Sequence, residues 1–269
     1  MGGPIGLLFM KKIAKIFIIL VISIAGFLGT KIIVSMAIEN AKVSKETSYI
    51  YLKRKTNLLV GTGGDSSMLI DNTEDYRLPV SLANQLDEPS LENGCEVTAL
   101  SMLLNYYSYD YNKNVLQEKI KKEPYQDKHN YFGDPDMGFV GDASGKTPGS
   151  GVNVEPIYEL ATQVVKSPYK VVNSSGLPLN EILEKVHEGH PVWVITTIDY
   201  QEPKDNDLVD WPTRNGMKQF SIKHHAAVII GFNQEEVFLN DPYGKEVIVK
   251  KNIFEQIYIK TGQQSLYIQ

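Results

Sequence analysis

The stretch Leu91-Glu92-Asn93-Gly94-Cys95-Glu96-Val97-Thr98-Ala99-Leu100-Ser101-Met102-Leu103-Leu104-Asn105-Tyr106-Tyr107 decides how the rest of the chain is read. Asn93-Gly94 is turn chemistry. From Cys95 onward, Val97, Leu100, Met102, Leu103, Leu104, Tyr106 and Tyr107 describe a helix apolar on most faces and therefore buried. A thiol in the first turn of a helix lies among unpaired backbone N–H groups at the positive end of the dipole, which favours thiolate. Gly94 is expected to leave room for another backbone to approach. Glu96 works slightly against the thiolate, so a cationic partner is needed. Cys95 is the single cysteine of the 269 residues, so no internal disulfide forms. By count alone a free cysteine reads as a small buried hydrophobe. Its place at a helix start argues instead for a nucleophile.

Working outward, a second short helix fits residues 114–121, and 131–151 is a Gly/Asp/Pro loop without periodicity. Helices are predicted over 154–166 and 179–188. Gly189-His190-Pro191 ends the latter and launches a strand at 192–197. Strands follow at 219–222, 226–232, 237–239, 247–250 and 266–268, with turns at Asn233-Gln234-Glu235-Glu236 and Asp241-Pro242-Tyr243-Gly244. Helices first and antiparallel strands second is an α+β order. Upstream, Leu78-Pro79-Val80 is extended, and the folded domain is expected over residues 76–269.

The other end of the chain reads differently. Lys11, Lys12 and Lys15 precede the apolar run IFIILVISIAGFLG at residues 16–29. A basic flank before an apolar stretch makes residues 1–37 a signal peptide or an N-terminal membrane anchor. The run alone is shorter than the roughly 20 residues of a spanning helix. Residues 32–37 supply that length if Lys31 snorkels toward the headgroups. Ser35-Met36-Ala37 also fits a small-x-small cleavage site, which would give a secreted product. Positive charge before the run places the remainder outside the cell. Met10-Lys11-Lys12 reads as a natural start. Residues 38–75, polar and including GTGGDSS at 61–67, read as a linker or stalk. A net charge of −5 and the absence of a basic cluster in the folded part argue against a nucleic-acid partner.

His225 opens the apolar segment His225-Ala226-Ala227-Val228-Ile229-Ile230-Gly231-Phe232, and a base on a buried strand is rigidly aimed. Asp241, at the end of a following strand, is placed to accept from the other ring nitrogen. His225 lies about 130 residues after Cys95, and the order cysteine, histidine, acid or amide is that of papain-like enzymes. Taken singly, a histidine opening a strand is ordinarily structural, and Asn-Asp-Pro-Tyr-Gly is ordinarily a hairpin turn. The ordered trio carries the argument. His224 is the competing base, but strand alternation lets only one of the two histidines face the thiol. His129, His187 and His190 read as surface or loop residues. Asp134, Asp136 and Asp142 lack calcium-loop spacing and read as turn formers. Trp193, Trp211 and Tyr131 are candidates for a substrate groove or ordinary core and rim aromatics.

The segment from Gly94 to Tyr107 resembles the nucleophile helix of the stand-alone, YvpB-like branch of the bacteriocin-processing cysteine peptidases, in the papain-like clan. Gly133-Asp134-Pro135, Gly138-Phe139-Val140-Gly141-Asp142, Pro191-Val192-Trp193-Val194, His225-Ala226-Ala227-Val228 and Asn240-Asp241-Pro242 follow in the order of that branch. The resemblance implies a papain-like fold, with a helical part carrying Cys95 packed on an antiparallel sheet carrying His225 and Asp241. It implies hydrolysis of a peptide or protein substrate through an acyl-enzyme, with Cys95 as nucleophile, His225 as base and Asp241 orienting it. It implies no metal and no cofactor, and it makes Gln85 an oxyanion donor. Transporter-fused members cut after double-glycine leaders; this chain has no ATP-binding cassette, so that substrate does not carry over. Other papain-type acyl transfer, transglutaminase-like or cell-wall amidase-like, uses the same residues. A catalytically silent surface binding module is the alternative from another class.

Overall fold

The computed structural model describes residues 75–269; the anchor expected at 1–37 and all but the last residue of the linker at 38–75 lie outside them. The described chain runs β1 (Tyr76–Arg77), α1 (Cys95–Tyr106), α2 (Lys113–Lys119), β2 (Lys122–Glu123), β3 (Phe139–Gly141), β4 (Gly149–Gly151), α3 (Val154–Val164), β5 (Val171–Asn173) and α4 (Leu179–His187). It continues with β6 (Val192–Thr197), a 3-10 turn (Asp205–Asp207), β7 (Leu208–Thr213), β8 (Gly216–Ser221) and β9 (His224–Phe232). The last elements are β10 (Glu236–Asp241), β11 (Lys245–Lys250), α5 (Lys251–Lys260) and β12 (Ser265–Ile268). The expected α+β order is present. Among the described residues no helix is long and apolar enough to cross a membrane.

One antiparallel sheet organises the domain, in the order β11-β10-β9-β6-β12-β5, with β1 paired to the far end of β9. Strand β9 is nearly continuous in apolar residues because it is central: β10 and β6 pair along its two edges, and every residue from His225 to Phe232 is buried. Helix α1 packs against β9, which explains why its residues are buried without a break from Cys95 to Leu104. Each fully buried leucine there contributes about 1.5–3 kcal/mol of transfer free energy. The Trp193 indole of β6 donates to Glu96 O at 3.0 Å and pins the start of α1 to the sheet.

Three differences from the sequence reading have physical causes. Residues 131–151 contain β3 and β4, each three residues long and too short to show a period. The sequence reading places no strand at Leu208–Thr213 and begins the next one late. These are β7 and β8, a ribbon anchored by Trp211 and Phe220 against Val140 rather than by alternation. It also places no element at Lys251–Lys260, although Phe254, Ile257 and Tyr258 of α5 have helical spacing and are buried.

Candidate active site

Cys95 is the first residue of α1, with Gly94 as N-cap. A Cβ on Gly94 would crowd the Leu91 side chain. The space beside this glycine is therefore filled by Leu91 rather than left open for an approaching backbone. The turn is braced from the far side. Asn93 N–H donates to Ala143 O at 3.0 Å, and Asn93 Nδ2 donates to Asp142 O at 2.9 Å. Asp142 closes its own loop by accepting from the N–H and hydroxyl groups of Ser144 and Thr147. Those bonds, the Ser144 N–H first, hold its carboxyl at about 2.

The sheet register sets the two histidines. Thr196 pairs with His225 and Thr197 with His224, and successive residues face opposite sides. His225 Nε2 lies 3.2 Å from Asp241 Oδ2, both groups almost wholly buried. The Tyr200 hydroxyl donates to the same Oδ2 at 2.6 Å, and Tyr243 N–H donates to Oδ1 at 2.6 Å. The Tyr243 ring stacks on the imidazole at 5.6 Å and 18°, while Tyr200 meets it edge-on at 6.3 Å and 86°. Burial pushes the Asp241 carboxyl up, but His225, Tyr200 and the Tyr243 N–H outweigh it and hold it below the usual carboxylate range. Asp241 is therefore charged throughout the neutral range, and its charge is lost only as pH falls through that depressed value. Burial, then the Asp241 charge, pushes the Tyr200 hydroxyl far up, so it stays a donor.

The thiol meets this network at the start of β9, where the backbone N–H of Ala226, the residue after His225, acts on the sulfur. The Tyr200 and Tyr243 hydroxyls lie near enough to the sulfur that a thiolate there would push both up further. Burial, then the Glu96 carboxylate, pushes the thiol well above its ordinary value, and the N–H groups of Ala226 and Cys95 itself oppose this less strongly. The helix-start expectation of an acidified thiol is thus reversed. Exclusion of water and the adjacent buried carboxylate win over the helix end, so the resting sulfur carries its proton.

His224 faces the other way. Its Nε2 lies 3.2 Å from Glu96 Oε1 and 3.1 Å from Val152 O, with the ring stacked on Phe220 at 4.9 Å. Gln85 is buried between the two turns. Its N–H donates to Pro242 O at 2.6 Å and its Nε2 to Glu92 O at 2.8 Å. Sequence reasoning missed Tyr200 and Tyr243; Tyr243 stood inside the Asn-Asp-Pro-Tyr-Gly turn, whereas Tyr200 had no local signal.

Trp193 is a fully buried core residue, which removes it as a groove wall. Trp211 donates to Gly133 O at 2.9 Å and stacks on Phe132. Tyr131 is exposed and helps line a shallow hollow of about 400 Å³ with Pro212, Thr213, Arg214, Gly216 and Met217, none of which belongs to the Cys95 site. His190 is a half-buried loop residue after α4, bonded to the Tyr107 hydroxyl at 3.0 Å. Asp134 is taken up by Asn215, Lys218 and the Asp136 N–H, and Asp136 by Asn153 and Lys218. Among the described residues no group of three or more His, Cys, Asp or Glu is placed to hold a metal ion.

A family model described as "Peptidase_C39 like family" matches residues 77–266. The uncharacterised protein YvpB of Bacillus subtilis (strain 168) is 39% identical over 193 residues, covering 71% of this chain and 75% of YvpB. A crystal structure of a candidate C39-like peptidase from Bacillus anthracis superposes with a TM-score of 0.69 at 32% identity, covering 73% of this chain and 98% of that one.

Proposed function

The chain belongs to the C39-like peptidase family, with its papain-like α+β fold, and on that premise we propose that it is an extracytoplasmic cysteine peptidase acting through Cys95, His225 and Asp241. The observation that carries this reading is the buried contact of His225 Nε2 with Asp241 Oδ2 at 3.2 Å, one residue from the Ala226 N–H that acts on the thiol. Asp241 occupies Nε2 and leaves Nδ1 of the same ring for the sulfur. Because the resting sulfur is a thiol, attack is base-assisted. His225 Nδ1 takes the S–H proton as sulfur bonds to the substrate carbonyl carbon, and the carbonyl π pair moves onto oxygen. The Cys95 backbone N–H and the second Nε2 hydrogen of Gln85 are the donors for that oxyanion. Collapse breaks the C–N bond, and the imidazolium returns its proton to the departing amine. Water, deprotonated by the same nitrogen, then attacks the thioester carbon; the C–S bond breaks and the imidazolium returns the proton to sulfur, which restores the thiol and releases the acid. Asp241 keeps the Nε2 proton in place and stabilises the imidazolium.

Incubating the native protein with a peptidyl vinyl sulfone is expected to give one adduct, on Cys95, and a peptide library is expected to be cut. Absence of both labelling and cleavage in folded protein would sink the reading. The basic flank and apolar run at 16–29 support an extracytoplasmic domain held by an N-terminal anchor. Protease added to intact cells should therefore digest residues 76–269; complete protection until lysis would reverse the topology.

A further inference from the structure

A second acid–imidazole pair lies behind the nucleophile and takes no part in the chemistry above. Glu96 follows Cys95 in α1 and is completely buried. Its Oε1 accepts from Val152 N–H at 3.0 Å and lies 3.2 Å from His224 Nε2, whose side chain is itself 7% exposed. Its Oε2 is buried with no hydrogen bond of normal geometry. Opposite the carboxylate stands Gly151 at φ +124, where a Cβ would overlap Glu96 Oε1. A glutamine could accept the Val152 N–H at far lower desolvation cost, so a structural tie alone does not call for the charge.

We propose that Glu96 and His224 are positioning residues of this site: they tie the Cys95 end of α1 to the start of β9, one residue before His225, and they set the Glu96 charge against the thiol. The proposal rests on the peptidase reading. The charge holds the proton on sulfur until His225 removes it, which also spares an unoccupied thiol from oxidation. The other titratable groups around the thiol are His225 of β9, Asp241 of β10 and the hydroxyls of Tyr200 and Tyr243. Of the carboxylates, Glu96 is the one whose charge acts on the thiol, and its Oε2 is buried without a hydrogen-bond partner.

The test is Glu96→Gln, which keeps an acceptor for Val152 and His224 and removes the charge. Iodoacetamide alkylation measured against pH should shift its midpoint down by about one unit, making the reaction roughly tenfold faster at neutral pH. A folded Glu96→Gln protein with an unmoved profile overturns the proposal, because a purely structural role predicts no shift. Should that variant not fold, wild-type protein decides. Its single cysteine gives one infrared S–H band, absent in Cys95→Ser, expected at neutral pH and displaced to lower frequency than a free thiol. An undisplaced band, or none, overturns the proposal. Neither readout needs turnover, so a shifted profile without peptide cleavage would fail the peptidase reading while leaving the effect of Glu96 on the thiol established.

Discussion

Cys95→Ser is expected to lower kcat for peptide cleavage by about 10³-fold or more, as loss of a nucleophile does in triad enzymes. Serine keeps the shape, and its oxygen can still receive the Ala226 N–H that acts on the sulfur. What it lacks is a proton that imidazole can remove at neutral pH without a much stronger drive. The substituted site is 7% exposed and on the edge of the core, so the thermal midpoint should move by only a few degrees. Initial rates on a fluorogenic peptide, with a melting curve alongside, decide it. Retention of more than a tenth of the activity would remove Cys95 from the chemistry.

His225→Ala should match that loss, because His225 is the proposed base and the neighbouring imidazole cannot replace it: His224 is committed to Glu96 and Val152. Asp241→Ala should come next, and for two reasons. It releases the tautomer of His225, and it leaves the His225 and Tyr200 donors buried without an acceptor, at about 1–3 kcal/mol each. Asp241→Asn should be milder, costing about tens to a thousandfold in kcat. Both carboxylate oxygens accept in the native site, from His225 and Tyr200 at Oδ2 and from Tyr243 N–H at Oδ1. An amide has one oxygen, so it must either oppose Tyr243 N–H or present hydrogens to His225 and select the wrong tautomer. Tyr200→Phe should cost least, about tenfold, since it removes one bond to a carboxylate that keeps its other two partners. Measured kcat values in the order Cys95→Ser and His225→Ala lowest, then Asp241→Ala, Asp241→Asn and Tyr200→Phe, check the assignment. Activity surviving His225→Ala would move the base elsewhere.

Both outcomes depend on features of unequal visibility in the chain. Helix α1 was legible because a buried helix is apolar at consecutive positions, and α3 and α4 because their apolar residues recur along one face. Strands β6 and β9 were legible as short apolar runs bounded by turns. The β7–β8 ribbon was not, because Asp210 and Pro212 interrupt it and its anchors, Trp211 and Phe220, reach Val140, about seventy and eighty residues away. Its stability is a matter of packing rather than of local pattern.

The sequence by itself determined the α+β class, the thiol at a helix start, a histidine opening an apolar strand and a carboxylate at the end of the next. Each of these is a local property, written in periodicity and turn chemistry over a dozen residues. Tertiary structure decided which histidine meets Asp241, that Tyr200 shares its oxygen across 41 positions, and that Glu96 is sealed against Val152 across 56. It also reversed the expected acidity of Cys95. The reason is that proton affinity follows the water removed from a group and the charges sealed in with it, and distant segments of the chain supply both only when they pack.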